Sequence, residues 1–356
     1  MNNPRLFGIE KSNRDFTNPE TWGKNQFNSS FPAALACYLY NKNLEAKYII
    51  SNKNLETCVS NISIDKLFNI NPLDKNTFYS FETQFLPFQK YVIGSIPRND
   101  LVIQNLIDNS SVASLEIKLT ALPDNSTCLL DSKHYGCEIV VRPDTIIYLA
   151  CSIIKIFEKT SFNDLYNIVV PVGNRIDNWT NALSVIPYLN DINNAIRTVV
   201  KQQTMYQSPI ILEPIWKTEG KSPKLAENCL DVFVWSNFAM LNLFMPPMGC
   251  SFENISRHTR SMVWLFKMLY DFIKNNQFNG EYIIDELSYN TKNDKAFSTS
   301  GIRTHQFMDC SELENPRIKK NEIKNIILGG GQNLLSPERR FDAIIYNSPD
   351  LFTEDI

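Results

Sequence analysis

Two stretches within residues 100–119 alternate polar and apolar positions, which is the pattern of a half-buried β-strand. In the first, DLVIQN, Asp100 shares one face with a valine and a glutamine, and a leucine and an isoleucine lie on the other. In the second, SVASLEIKL, Glu116 and Lys118 share one face and oppose an apolar one. The intervening LIDNSS is typical of a turn. The pattern therefore predicts an antiparallel hairpin that brings Asp100 near Glu116.

Hydrophobic periodicity predicts helices and strands in the rest of the chain as well. An early amphipathic helix is predicted over FPAALACYLYNKNLEAKYII, with Pro32 in its first turn. Strands are predicted at CEIVV, IVVPVG, SPIILEPIW and the start of DVFVWSNFAMLNLF, and helices over TIIYLACSIIKIFEK and NWTNALSVIPYLNDINNAIRTVVKQQ. This order predicts a mixed α+β fold, in the α/β class, with a central mixed β-sheet flanked by helices.

The segment SRHTRSMVWLFKMLYDFIKNNQ predicts a long helix with a single apolar stripe. Such a stripe is typical of either a core helix or a dimer face. The side chains that form it are Met262, Leu265, Phe266, Leu269 and Phe272.

Composition narrows the class of protein only moderately. A chain of 356 residues with 43% hydrophobic and 12% aromatic content can bury a large core, and we interpret residues 1–356 as one large domain. The net charge of −3 gives no overall basic field that would indicate binding to nucleic acid, although a local basic cleft is compatible with this charge.

The cysteines and the terminal sequence indicate the compartment. The 8 cysteines form no Cys-x-x-Cys pair and the 3 histidines are not spaced as zinc ligands, so we expect no structural zinc. The N-terminus lacks an apolar signal core, and no stretch of eighteen apolar residues occurs. We therefore expect a soluble, cytoplasmic protein with reduced thiols.

The hairpin carries the residue types of a metal-dependent phosphodiesterase site. Two neighbouring carboxylates, Asp100 and Glu116, repel each other unless a cation lies between them, and oxygen ligands suit Mg²⁺. A lysine two residues later, Lys118, can stabilise the attacking water or the phosphorus centre. Glu82, upstream of the first strand, is a candidate accessory metal ligand or a purely structural acid.

The tripeptide of acid, any residue and lysine has little specificity alone, because it also begins at Glu45, Asp131, Glu219 and Glu322. Only the copy at Glu116 lies on an alternating strand opposite a second acid-bearing strand. The main rival is Asp124 with Asp131-Ser-Lys133, which sets its acids close together around a short strand. The structural alternative is an exposed hairpin whose outer face merely carries charge.

Two loops are candidate contacts for a polyanion, with solvated loops as the alternative interpretation. Basic groups can position phosphates, and amide or guanidinium groups can read base edges. The residues concerned are Lys217 and Lys221 in KTEGKSPKLAENC, and Lys292, Lys295, Arg303 and His305 in YNTKNDKAFSTSGIRTHQF.

These motifs resemble a known family. The Asp100…Glu116-Ile117-Lys118 hairpin followed by a helix resembles the PD-(D/E)xK core of many type II restriction endonucleases. The segments SNRDF and WGKNQFNSSFPAALACYLY, residues 12–16 and 22–40, resemble the opening of the HindVP-like restriction enzymes. One departure is that Asn99 precedes the first acid, so that the proline of the motif is displaced to Pro97.

The resemblance implies a restriction-endonuclease-like core over about residues 80–160, with residues 161–356 serving DNA recognition and dimerisation. It implies a homodimer that uses Mg²⁺ to cut double-stranded DNA at a short palindrome, GRCGYC in the HindVP-like group. A cognate DNA methyltransferase would be encoded nearby without being a physical partner. The helix over residues 256–276 then becomes a candidate dimer element.

Carried over residue by residue, the resemblance implies that Asp100 and Glu116 are metal ligands and that the backbone carbonyl of Ile117 is a third ligand. It implies that Lys118 assists the attacking water. Lys24 and Asn25 become candidate DNA contacts. Two alternatives remain open at this point: a structure-selective repair or recombination nuclease, and a DNA-binding module without catalytic activity.

Overall fold

The computed structural model describes most of the N-terminal half of the chain, the helices that follow, and several separate strands. The described residues are 36–51, 57–68, 71–74, 76–105, 107–115, 117–119, 139–141, 143–202, 210–214, 232–235, 255, 257–289 and 297–299.

Strands and helices both contribute to this part of the chain. The strands are β1 (Ala46–Ser51), β2 (Thr57–Ile62), β3 (Thr77–Gln84), β4 (Arg98–Asn105), β5 (Ser111–Leu115), β6 (Ile117–Leu119), β7 (Ile139–Val141), β8 (Ile210–Pro214), β9 (Val232–Trp235) and β10 (Phe297–Thr299). The α-helices are α1 (described over residues 36–41), α2 (Ile64–Phe68), α3 (Pro143–Lys159), α4 (Phe162–Gly173), α5 (Ala182–Val185), α6 (Leu189–Gln202), α7 (Arg257–Asn275) and α8 (Gly280–Glu286). Short 3-10 helices lie at Leu86–Tyr91 and Ile186–Tyr188.

The described strands form three antiparallel sheets. β3, β4 and β5 make a meander with β4 in the middle, and a second sheet has the order β2-β1-β8-β9-β6. β7 pairs with β10. The mixed α and β class is therefore confirmed. The predicted central mixed sheet is wrong for the described strands, because their ladders are all antiparallel and distant segments such as β7 and β10 pair in separate sheets.

The main hydrophobic core lies between helices and the meander. α7 contacts α3, α4, α6 and α8, and Val102 of β4 belongs to the same buried cluster as these helices. Full burial of a Leu, Ile, Val, Phe or Met side chain contributes about 1.5–3 kcal/mol, so this cluster is the principal source of stability in the described part of the chain.

Helix α7 is enclosed by the chain itself. All five side chains of the predicted apolar stripe are at most 4% exposed, and they belong to the shared core. The prediction of the helix is confirmed, but its use as a dimer element is wrong for this stripe. The physical reason is that α3, α4 and α6 already cover the apolar surface that a partner would need.

Two glycines let helices approach closely. A Cβ at Gly173 of α4 would lie 2.1 Å from Cδ2 of Tyr270 in α7, so only a hydrogen fits there. A Cβ at Gly280, the first residue of α8, would lie 2.7 Å from Cδ1 of Ile147 in α3. The helix packing therefore depends on residues without side chains at both points.

The predicted strand at IVVPVG is wrong, because these residues complete α4. Leu165, Val169 and Val170 are buried at a helical spacing, and Ser161 occupies the N-cap position. Pro171 lies in the last turn, where the N–H groups of Asn174 and its neighbours still close the helix. A short apolar run with valine and proline resembles a strand, but its burial follows the helical period.

The first predicted helix extends too far. α1 ends at residue 41 and is followed by a left-handed residue, Asn43, with φ 52°, and the N–H of Leu44 closes the turn on the carbonyl of Leu39 at 2.8 Å. The chain then enters β1, which pairs with β2 along its length. Glu45 therefore lies in a loop and not in a helix.

The remaining predicted elements are confirmed where the structure describes them. α3 covers the predicted helix and begins two residues before it, at Pro143, and β8 and β9 occupy predicted strands. The predicted helix after Trp179 is divided into α5, a 3-10 turn that contains Pro187, and α6. None of the described helices is long and apolar enough to cross a membrane.

Candidate active site

Two acids occupy facing positions on neighbouring strands of the meander. β3 and β4 are antiparallel, and their register pairs Phe81 with Leu101 and Thr83 with Asn99. Glu82 and Asp100 lie between these pairs, one on each strand. Directly facing residues of an antiparallel pair lie on the same face of a sheet. Glu82 thus stands at the register position opposite Asp100, a relation that the sequence did not reveal.

The predicted hairpin is confirmed up to the residue before Glu116. β4 and β5 pair in antiparallel fashion, with Leu101 opposite Leu115 as the last described pair. The turn is closed by the N–H of Asn105, which donates to the carbonyl of Ser110 at 2.9 Å, and by Asn109 at φ 55°. Glu116 lies outside the described residues, so its proximity to Asp100 stays a prediction.

The structure describes the strand predicted over SVASLEIKL on either side of Glu116, as β5 and β6. β5 pairs with β4, whereas β6 pairs with β9, so that Ile117 faces Trp235 and Lys118 faces Val234. The partner of β6 is a strand far along the chain that local alternation cannot reveal, and the continuity of the predicted strand through Glu116 stays a prediction.

Strand β4 is enclosed on both faces beside Asp100. Leu101, Val102 and Ile103 are each at most 1% exposed, and Val102 packs on the helical core. Asn99 is also buried, at 2% exposed, and its Oδ1 has no hydrogen-bond partner among the described residues. An unsatisfied buried carbonyl costs about 1–3 kcal/mol, so the start of β4 carries a polar group at the expense of stability.

The connection from β3 to β4 is held by side-chain hydrogen bonds. The amide of Gln84 donates to Ser95 Oγ at 2.6 Å and to the carbonyl of Ile96 at 2.7 Å. The amide of Gln89 donates to the carbonyl of Gly94 at 2.7 Å, where the chain turns with φ 85°. These bonds fix the path of the chain between Glu82 and Asp100.

Positive charge is concentrated next to this connection. Lys155 of α3 lies over the rings of Phe85 and Phe88, with Nζ 5.6 and 5.5 Å from their centroids. Its pKa is lowered by burial and by the neighbouring charges of Lys159 and Lys90. Sequence analysis missed these lysines, since residues 90 and 155 become neighbours only through the fold.

One carboxylate balances part of this charge. Glu158 accepts from Lys90 Nζ at 2.8 Å and from the hydroxyl of Tyr91 at 2.5 Å. Burial raises the pKa of Glu158, but the hydrogen bonds from Lys90 and Tyr91 outweigh it and the pKa is lowered. The pKa of Tyr91 is raised, by burial first and by Glu158 second.

The predicted DNA contacts all fall outside the part of the chain that the structure describes. They are Lys24, Asn25, Lys217, Lys221, Lys292, Lys295, Arg303 and His305. The rival acids Asp124 and Asp131 lie outside it as well. Within the described ranges, no group of three or more His, Cys, Asp or Glu residues is placed to hold a metal ion.

Comparison with known proteins identifies a class of DNA-processing enzyme. The model of the HindVP restriction endonuclease family matches residues 22–352 of this chain. The type II restriction enzyme HgiDI of Herpetosiphon aurantiacus is 46% identical over 356 residues, which cover 99% of this chain and 98% of that enzyme. The probable type II restriction enzyme HindVP of Haemophilus influenzae is 46% identical over 353 residues, covering 98% of this chain and 95% of that protein.

The chain therefore belongs to the HindVP restriction endonuclease family. The resemblance that the N-terminal segments indicated is confirmed, and the likeness extends over residues for which the sequence alone offered no motif. No solved structure matches the chain.

Proposed function

We propose that this protein is a type II restriction endonuclease that hydrolyses phosphodiester bonds in double-stranded DNA with Mg²⁺. Membership of the family and near full-length identity to two restriction enzymes support the activity. The GRCGYC palindrome that the resemblance implies is the candidate recognition site.

The observation that carries the proposed site is the register of the meander. The pairs around Glu82 and Asp100 place these acids opposite each other on β3 and β4. The register of β4 with β5, continued one step past Leu101 and Leu115, would bring Glu116 opposite Asp100 on the other side. The three acids would then form a row across three adjacent strands, on one face of the sheet.

This donor set fits a hard divalent cation. Carboxylate and carbonyl oxygens are the ligands that Mg²⁺ prefers, and facing carboxylates repel each other in its absence. Asp100 and Glu116 would hold the ion, with Glu82 and the carbonyl of Ile117 as further ligands. When bound, Mg²⁺ supplies Lewis-acid stabilisation of the phosphate and lowers the pKa of a bound water.

The remaining chemistry falls to residues of this chain. Lys118 would orient the attacking water and stabilise the negative charge that develops on the phosphate. Its strand, β6, is held by β9 and not by β4. The carboxylates and the lysine would therefore be positioned by different hydrogen-bonded ladders that meet at Glu116.

A palindromic site calls for a two-fold enzyme, so we propose a homodimer. The apolar stripe of α7 is occupied within the chain and is not its interface. The basic residues predicted as DNA contacts, among them Lys292, Lys295 and Arg303, would then supply phosphate and base contacts from each protomer.

Cleavage of phage DNA by the purified protein with Mg²⁺ tests the activity, and discrete bands are the expected result. Asp100→Ala and Lys118→Ala should each abolish cleavage and leave DNA binding largely intact. Asp108→Asn is the matched control, because Asp108 is an acid of the same hairpin whose carboxylate caps the turn at Ser110. Smeared products would contradict the proposed specificity, and normal cleavage by Asp100→Ala would contradict the proposed site.

A further inference from the structure

We propose that Tyr148 of α3 is a positioning residue for this active site: its hydroxyl joins the end of β3 to the start of β4 and so sets the spacing of the strands that carry Glu82 and Asp100. The inference rests on the proposed function and extends it to a residue outside the metal-ligand set.

The hydroxyl of Tyr148 stands between two backbone groups. The N–H of Phe85 donates to the Tyr148 oxygen at 3.1 Å, and the hydroxyl donates to the carbonyl of Pro97 at 2.8 Å. Tyr148 is 3% exposed and Phe85 is 2% exposed, so water has little access to this bridge. Each of the two hydrogen bonds uses a different property of the hydroxyl, which is both donor and acceptor.

The bridge lies where the strand ladder would otherwise continue. The last described pairs of β3 with β4 are Thr83 with Asn99 and Gln84 with Arg98. The next pair in the same register is Phe85 with Pro97. Proline has no N–H, so this pair cannot exchange the two bonds of a regular antiparallel ladder. The tyrosine hydroxyl links Phe85 to Pro97 in place of a direct ladder bond, so that one oxygen atom separates the two strand ends.

The two acids lie close to the bridge along the chain. Glu82 lies three residues before Phe85, and Asp100 lies three residues after Pro97. Residues 83–84 and 98–99, which lie between the bridge and the acids, are paired with each other. A change in strand spacing at the bridge should therefore also change the spacing at Glu82 and Asp100. Displacements of about 1 Å in a catalytic site can cost about a hundredfold in rate. The spacing set by Tyr148 therefore governs the distance between the two carboxylates.

Loss of the hydroxyl should weaken the cation site more than the fold. Tyr148→Phe is expected to lower the affinity for Mn²⁺, titrated by calorimetry as a probe of the Mg²⁺ site, by about 10- to 100-fold, the range typical of residues that orient metal ligands. The matched control is Tyr91→Phe. Tyr91 is likewise buried, at 2% exposed, and its hydroxyl bonds to Glu158 and not to the strand ends.

A merely structural role for Tyr148 predicts a different result. Both variants lose one buried hydroxyl, so both should unfold at lower temperature, and Mn²⁺ affinity is compared at a temperature where both are fully folded. Equal Mn²⁺ affinity in Tyr148→Phe and Tyr91→Phe would overturn the inference. If the Tyr148 variant does not fold, the unaltered protein provides the second measurement.

That measurement uses the reciprocity of coupled sites. If the bridge favours cation binding, then cation binding must favour the bridge by the same factor. Adding Mg²⁺ to the wild-type protein should therefore slow hydrogen exchange of the Phe85 amide, and an unchanged exchange rate would overturn the inference. The Phe88 amide, bonded to the carbonyl of Phe85 within the 3-10 helix, serves as the internal reference.

The outcomes separate this inference from the proposed function. If Asp100→Ala still cleaves DNA, the proposed site itself fails. If Asp100→Ala is inactive and Tyr148→Phe binds Mn²⁺ like the wild type, only the role of Tyr148 fails.

Discussion

Helix α7 and strand β4 are both enclosed by other parts of the chain, but they differ in the kinds of side chain that they carry there. In α7 the buried positions are mostly apolar, and two of its polar side chains donate to backbone carbonyls: Trp264 Nε1 to Leu287 at 3.0 Å and Arg260 Nη1 to Ser288 at 3.1 Å. β4 begins with Asn99, whose Oδ1 lacks a partner among the described residues, and with an acid opposite another acid.

The difference is the one expected between a region that provides stability and a region to which the proposed function assigns a metal ion. A helix like α7 can be explained by burial alone. The start of β4 cannot, because Asn99 Oδ1, without a partner among the described residues, lowers stability, and acids at opposite register positions would repel each other unless a cation binds between them. Stability lost at a functional site is commonly offset by a well-packed core elsewhere, and the helices α3, α4, α6 and α7 form that core.

Among the predicted effects on stability, the largest should come from Gly173→Ala in the helical core. The new methyl group would overlap the ring of Tyr270, so the free energy of unfolding should fall by about 3 kcal/mol, at the upper end for overpacked cores. Urea unfolding measures the change. Gly280→Ala is the milder control, because the end of the Ile147 side chain can move away. A Gly173 variant as stable as the wild type would show that α4 and α7 are not tightly packed.

A smaller effect of opposite sign is expected in the sheet. Asp100→Asn removes a negative charge at the register position opposite Glu82 and should raise stability by about 1 kcal/mol when no divalent metal is present, while cleavage is lost. Thermal unfolding in a chelating buffer measures the gain. Asp108→Asn, in the exposed turn, should give no comparable gain. A loss of stability in the Asp100 variant would contradict the idea that this acid serves function at the expense of the fold.

The smallest effect on stability should come from substitution of Glu158, which joins α3 to the connection between β3 and β4 through Lys90 and Tyr91. Its lowered pKa means that its ion pair with Lys90 stabilises the folded state above the ordinary pKa of a glutamate. This contribution is lost as the pH falls through the lowered value. Glu158→Gln should therefore be less stable than the wild type near neutral pH and equally stable in acid. A difference that persists in acid would point to packing and not to charge. The pair is partly exposed, so the effect should be small.

The hairpin, α3 and α7 could be predicted from the sequence because their signals are local. Alternation around Val102, a turn rich in Asp, Asn and Ser, and a regular apolar stripe each arise within one segment. The same local rule failed at Val169 and Val170, where β-branched residues suggested a strand and helical packing decided the outcome.

The arrangement of the site could be predicted only in part. Alternation predicted the strand that carries Asp100. The sequence also indicated Glu82 as a candidate ligand, but it did not predict that Glu82 occupies the register position opposite Asp100. The register of β3, the pairing of β6 with β9 and the bridge of Tyr148 all depend on contacts between distant segments. Such contacts are selected by tertiary packing, which no local pattern records.

The pairing of β5 with β4 and of β6 with β9 has a consequence for how such an enzyme can diversify. Substitutions in β8 or β9 can shift the strand of Lys118 without altering the pairs that hold Asp100, and substitutions in β3 can do the reverse. Under the proposed roles, water activation by Lys118 and the part of the metal site that Glu82 and Asp100 provide would then be inherited as separable traits. A family built this way can adjust one of the two properties in a lineage and retain the other.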